Sequence, residues 1–189
     1  MKIYFVASIR GKSKYLENYK KIIKILKDLG IDVFCQDVLE TTEEVVSTLS
    51  DERKIKHYKD VLKWINVADL VVAEVSYPSI NVGHEVSVAL EKGKPVIVLY
   101  TQDNEPHLLQ GLISDKILTI KYSLRELKET LEDALESAKD QMDVRFNFFV
   151  PPRIIAYLDW IAKNKKLPRA VFLRRLIEEH MKRNKEYKS

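Results

Sequence analysis

Leu70-Val71-Val72-Ala73-Glu74-Val75 is almost wholly apolar and stops at Ser76-Tyr77-Pro78-Ser79. A short, continuous apolar run ended by a breaker reads as a strand buried on both faces. Helical spacing follows from Val82 to Glu91 and ends at Gly93. A second apolar run then occupies Pro95 to Tyr100. Strand, helix and strand within about thirty residues form a βαβ unit, which implies a parallel sheet.

The flanking sequence repeats the alternation. Lys2 to Ala7 reads as a buried strand. Leu16, Tyr19, Ile22, Ile23, Leu26 and Leu29 mark a helix from Lys14 to Leu29, stopped by Gly30. Ile31 to Cys35 is a strand, and a polar stretch runs from Gln36 to about Ser50. A helix capped by Ser50 or Asp51 extends to Val67, and Asp69 anchors the start of the next strand. After the βαβ unit come a short helix, a strand over Lys116 to Tyr122 and an amphipathic helix over Leu124 to Lys139. Five strands separated by helices fit an α/β, flavodoxin-like parallel sheet in the order 2-1-3-4-5. In that order the chain changes direction between strands 1 and 3, and ligands bind beyond the carboxyl ends of those strands. The loops there are Ser8-Ile9-Arg10-Gly11 and the segment from Ser76 to Glu85.

The 189 residues allow one or two domains, and 46% hydrophobic residues are enough for a packed core. No apolar run is long enough to span a bilayer, and Ile3 to Ala7 is too short for a signal peptide, so no membrane role and a cytoplasmic location are expected. The single cysteine, Cys35, cannot form an internal disulfide or hold a metal alone and is expected in the core. The net charge of +4 is unevenly spread. From Gln141 onward, 12 Lys and Arg face 5 Asp and Glu, giving +7, so residues 1–140 carry −3. An acidic front and a basic tail suggest two modules, 1–140 and 141–189, with different partners.

Gly11-Lys12-Ser13 invites a phosphate-loop reading, but Val6 stands where that motif needs its first glycine. The turn can still bind an anion through helix N-terminal amides, the Ser8 hydroxyl and the Arg10 guanidinium. It can equally be a capped turn with a surface arginine. Glu85 follows Gly83 near the start of a helix. A carboxylate there either stabilises the helix dipole or acts as a nucleophile, with Gly83 permitting close ligand approach. Glu74, inside a buried strand, is expected to form a structural ion pair.

Four stretches in order carry a resemblance: Tyr4 to Gly11, His57-Tyr58-Lys59-Asp60, Ala68 to Val75, and Pro78 to Glu85. Together they resemble the nucleoside 2-deoxyribosyltransferase-like family, most closely its 2′-deoxynucleoside 5′-phosphate N-hydrolases, over roughly residues 1–140. The resemblance implies hydrolysis of the N-glycosidic bond of a 2′-deoxynucleoside 5′-monophosphate, without metal or other cofactor. It implies Glu85 as the nucleophile at C1′, Asp60 as the acid-base carboxylate and Tyr4 as the hydroxyl that positions the nucleophile. Ser8, Arg10, Gly11 and Ser79 become phosphate ligands, and Ile9, Gly83 and His84 line the substrate pocket. The chemistry is consistent. Glycosidic cleavage passes through an oxocarbenium-like state that a carboxylate traps, while the leaving base takes a proton.

Two departures from the family pattern stand out. Asp60 lies nine residues before Asp69 where the family has eight, and Val61 occupies the expected position. One residue turns a helix face by about 100°, so either a π-bulge restores Asp60 to the site or the acid-base role is lost; the bulge is expected, because His57 keeps its family spacing to Asp60. Gln110 stands where the family hydrolases carry a phosphate-binding serine lent by a neighbouring subunit.

Val144 to Val150, followed by Pro151-Pro152 and two helices, resembles a ribbon-helix-helix module. That implies a homodimer or higher homo-oligomer in which Phe146, Phe148 and Val150 face a shared core. Arg145, Asn147 and Phe149 would face outward as candidate duplex DNA readers, with Lys163, Lys165, Lys166 and Arg169 near phosphates. A dimerisation clip with a solvated basic face is the alternative. For the whole chain, the rival to the enzyme is a DNA-binding transcriptional regulator whose front domain senses a nucleotide without turnover.

Overall fold

The computed structural model describes residues 1–101, 105–111, 114–139, 149–165 and 167–184. They fall in two compact units, Met1–Asp143 and Val144–Ser189. The first unit begins β1 (Lys2–Ala7), α1 (Lys12–Asp28), β2 (Asp32–Phe34), α2 (Gln36–Glu40), α3 (Glu43–Ser47) and α4 (Asp51–Val67). It continues β3 (Leu70–Glu74), α5 (Ile80–Glu91), β4 (Val96–Tyr100), α6 (His107–Gln110), β5 (Ile117–Lys121) and α7 (Leu127–Lys139). The strands form one sheet in the order β2-β1-β3-β4-β5, and every neighbouring pair is parallel. This is the expected flavodoxin-like arrangement, with the switch between β1 and β3.

The alternation of side chains along β1 sorts the helices onto the two faces. Ile3 and Phe5 point into a core with Tyr19, Ile22 and Leu26 of α1 and Leu127 and Leu131 of α7. Tyr4 and Val6 point the other way, against Val61 and Ile65 of α4 and Val82 and Val86 of α5. Each fully buried aliphatic or aromatic side chain contributes roughly 1.5–3 kcal/mol, so both layers are firmly held. Tyr4 is thereby placed on the same face as α5, the helix that carries Glu85. The start of β3 is anchored as expected: the Lys2 amide donates to Asp69 Oδ2 at 2.7 Å, and the Asp69 amide to the Lys2 carbonyl at 2.8 Å. Cys35 is buried.

Three differences from the sequence reading have identifiable physical causes. α5 starts at Ile80, ahead of Val82, because the Ser79 hydroxyl caps it by accepting from the Val82 amide at 3.4 Å. The polar stretch after β2 contains α2 and α3, too short to show a helical period. Lys12 Nζ donates to the carbonyls of Leu39 and Thr41, both at 2.9 Å, and so ties this segment to α1. Glu74 does not enter the expected ion pair. It is fully buried, and its Oε1 accepts from the Ser76 amide at 3.3 Å, the Ser76 hydroxyl and the Tyr122 hydroxyl at 3.1 Å. Among the described residues its Oε2 has no hydrogen-bond partner. Burial pushes its carboxyl above the usual range, opposed by those hydrogen bonds.

The second unit contains α8 (Pro152–Asn164) and α9 (Arg169–Arg183). Pro152 occupies the first turn of α8, where its missing N–H costs nothing. Of its described apolar side chains, Leu158 and Ile161 are buried, whereas Ile154, Tyr157, Trp160, Leu176, Ile177 and Met181 are exposed. Arg169 is ion-paired with Asp159, which occupies a side chain read as a phosphate contact. Arg145, Asn147, Phe146, Phe148 and Lys166 lie outside the described residues. Phe149 is fully exposed.

Candidate active site

An open cleft of about 460 Å³ lies beyond the carboxyl ends of β1 and β3. Tyr4, Ser8, Ile9 and Arg10 line it from β1 and the turn that follows. Ser79, Asn81 and Glu85 line it from the start of α5, Glu43 from α3 and His57 from α4. At its centre the Tyr4 hydroxyl donates to Glu85 Oε2 at 2.7 Å. This charge-assisted bond fixes the orientation of the carboxylate. Tyr4 cannot swing away, because its buried ring lies 6.0 Å from that of Trp64, centroid to centroid.

The turn after β1 is closely built. The Gly11 amide donates to the Ser8 carbonyl at 3.0 Å and to the Ser8 hydroxyl at 3.3 Å. A Cβ at Gly11 would stand 2.3 Å from the Tyr19 hydroxyl and 2.7 Å from Tyr77 Cβ, so no larger residue fits. The Tyr19 hydroxyl in turn donates to the Ser8 carbonyl at 3.3 Å. The hydroxyls of Ser8 and Ser79 each accept a backbone amide, which leaves each O–H hydrogen as a donor for an anion. Arg10 Nε meets Glu43 Oε1 at 2.8 Å, and both side chains are mostly exposed. Glu43 escaped the sequence reading because α3 carries no motif or periodicity that marks it.

A profile of the nucleoside 2-deoxyribosyltransferase family matches residues 3–168. The chain belongs to this family. It is 31% identical to a 2′-deoxynucleoside 5′-phosphate N-hydrolase 1 of Thermofilum pendens, over 74% of this chain and 99% of that protein. It is 37% identical to the protein of the same name from Syntrophotalea carbinolica, over 71% and 94%. A 5-hydroxymethyl-dUMP N-hydrolase of Tetraodon nigroviridis is 31% identical over 74% of this chain and its own full length. Among solved structures, the Clostridium botulinum CMP N-glycosidase BcmB has a TM-score of 0.50 at 21% identity, over 70% of this chain and 99% of that one. That likeness concerns the fold.

Set against the family pattern, this deoxyribosyltransferase-family chain brings Tyr4, Ser8, Ile9, Arg10, Ser79 and Glu85 to one cleft. It does not bring Asp60. α4 is an α-helix throughout, so the expected π-bulge is absent, and Asp60 is not among the residues lining the cleft. Val61, in the family's aspartate position, is buried against β1 and α5. His57 lines the cleft instead. Gly83 and His84 also stand apart from the lining. A Cβ at Gly83 would meet no protein atom within 4 Å. His84 is turned toward α4, where it stacks on Tyr58 with ring centroids 6.0 Å apart. Among the described residues, no cluster of three or more His, Cys, Asp or Glu side chains could hold a metal ion.

Proposed function

We propose that this chain hydrolyses the N-glycosidic bond of 2′-deoxynucleoside 5′-monophosphates, releasing the free base and deoxyribose 5-phosphate. The observation that carries the reading is the Tyr4–Glu85 contact, set in one cleft with Ser8, Ile9 and Arg10. Glu85 attacks C1′ and departs when water cleaves the resulting ester. Tyr4 holds the carboxylate in line. Ser8, Arg10 and Ser79 take the 5′-phosphate, while the Gly11 amide, already donating to Ser8, shapes the turn that presents them. The named relatives support hydrolysis, and the regulator without turnover is not favoured. Incubation with the four deoxynucleoside monophosphates, with free base measured, tests the reading. Glu85→Gln should abolish release while binding persists. Release within a few-fold of wild type would remove Glu85 from the nucleophile's role, because losing a covalent nucleophile costs several kcal/mol of barrier.

The catalytic domain is proposed as 1–140 and a self-pairing module of ribbon-helix-helix type as 141–189. The exposed apolar side chains of α8 and α9 support pairing. The +7 charge, with Lys163 and Lys165, supports duplex DNA as a ligand. A gel shift over a salt series tests this. Failure to bind duplex DNA at low salt refutes it and leaves the hydrolase reading intact.

A further inference from the structure

Hydrolysis of a glycosidic bond needs a proton for the departing base, and the residue expected to give it is not at the cleft. Along an α-helix, residues four apart share one stripe and successive residues differ by about 100°. On α4 the stripe facing β1 and α5 contains Ile65 and Val61, both buried. Four residues before Val61 is His57, and it lines the cleft with Tyr4 and Glu85. Asp60 is half-buried where His57 is exposed, but it stands one residue off this stripe, does not line the cleft, and lies on a helix with no irregularity to turn it back.

The other ionisable groups at the centre of the cleft have roles of their own. Tyr4 donates its proton to Glu85. Glu43 is paired with Arg10 beside the phosphate-binding turn. Imidazole is the side chain that ordinarily gains and loses a proton near neutrality, which suits both halves of this reaction.

We propose that His57, in place of Asp60, is the general acid that protonates the leaving base. This rests on the hydrolase reading above. In the first step a Glu85 oxygen bonds to C1′ while the C1′–N bond breaks. The electron pair passes to the base nitrogen, and the His57 imidazolium transfers its proton to the base. In the second step water adds at C1′, the ester bond to Glu85 breaks with its pair returning to the carboxylate, and neutral His57 takes the proton of water. One water is consumed, and both side chains end in their starting states.

The experiment compares His57→Gln and Asp60→Asn on deoxynucleoside monophosphates and on para-nitrophenyl 2-deoxyriboside 5-phosphate, whose leaving group departs without a proton. His57→Gln should lower kcat on the nucleotides by about 10²- to 10⁴-fold with little change in KM. On the nitrophenyl substrate the first-turnover burst of nitrophenolate, which reports the first step alone, should remain within a few-fold of wild type. Asp60→Asn should stay within a few-fold on both. Equal loss by His57→Gln on both substrates, unchanged turnover of the nucleotides, or a leaving-group-dependent loss in Asp60→Asn would each overturn the assignment. Wild-type protein that releases no base from any of the four nucleotides would overturn the hydrolase reading itself, before any variant is compared.

Discussion

Tyr4→Phe removes one oxygen atom from the centre of the cleft and little else. The ring sits in the layer between β1 and α4, buried and close to Trp64, and phenylalanine fills the same space. What disappears is the 2.7 Å hydrogen bond to Glu85 Oε2. A hydrogen bond to a charged group is worth about 1.5–3 kcal/mol, and about 1.4 kcal/mol is tenfold in rate. If the bond serves to aim the nucleophile, kcat should fall about ten- to hundredfold. KM should hold, because the proposed phosphate contacts come from Ser8, Arg10 and Ser79 rather than from Tyr4. The assay is steady-state release of free base, accompanied by thermal melting to show that the fold persists. A kcat within twofold of wild type would refute the argument, as would a loss confined to KM.

Three further outcomes follow from the same geometry. Arg10→Ala should weaken the monophosphate about tenfold and leave the corresponding nucleoside nearly unaffected; the lower end of the charged hydrogen-bond range applies because the guanidinium is mostly exposed. Equal losses for the two ligands would show that Arg10 does not read phosphate. Burial holds the folded Glu74 carboxyl above its ordinary 4.5, so the folded state binds this proton more tightly than the unfolded chain. Its contribution is therefore full below about pH 4.5 and is lost as pH rises through the folded value; Glu74→Gln should gain stability relative to wild type over that rise, and denaturant titrations with a constant difference across pH would contradict it. Deleting residues 141–189 should lower the oligomer size on a sizing column and leave the front unit folded, since its core is built from α1, α4, α5 and α7; an unchanged size would refute self-pairing by the tail.

The fold was legible because its signals are periodic and local. The apolar run at Leu70–Val75, its breaker and the next helix already specify a βαβ unit. That unit also indicates where the loops of the switch point must lie, so the sequence alone singles out Glu85, Ser8 and Arg10. Glu74 shows the limit of this. Its donors come from Ser76 and Tyr122, and Tyr122 is itself held by Asn18, 104 residues away. Nothing in the local sequence distinguishes a hydrogen-bonded buried carboxyl from an ion-paired one. Glu43 was invisible for a related reason: α3 is five residues long, so the contact with Arg10 is tertiary information.

Asp60 teaches something different, because the spacing count pointed away from it and the expectation of a bulge outweighed that count. Counting back eight from Asp69 reaches Val61. The helix takes its phase from the residues the core accepts, and Val61 is one of them. Burying Val61 is favourable by about 1.5–3 kcal/mol, whereas turning Asp60 inward would desolvate a carboxylate and leave Val61 in water. A π-bulge would also have to break the regular ladder of an α-helix seventeen residues long. Val61 and Ile65 four residues apart therefore set the rotation of α4, and the residue one turn before them reaches the cleft whatever its identity. In this chain that residue is a histidine. The core thus decides which side chain meets the base, and a substitution that shifted the apolar stripe by one residue would change the cleft without touching any residue that lines it.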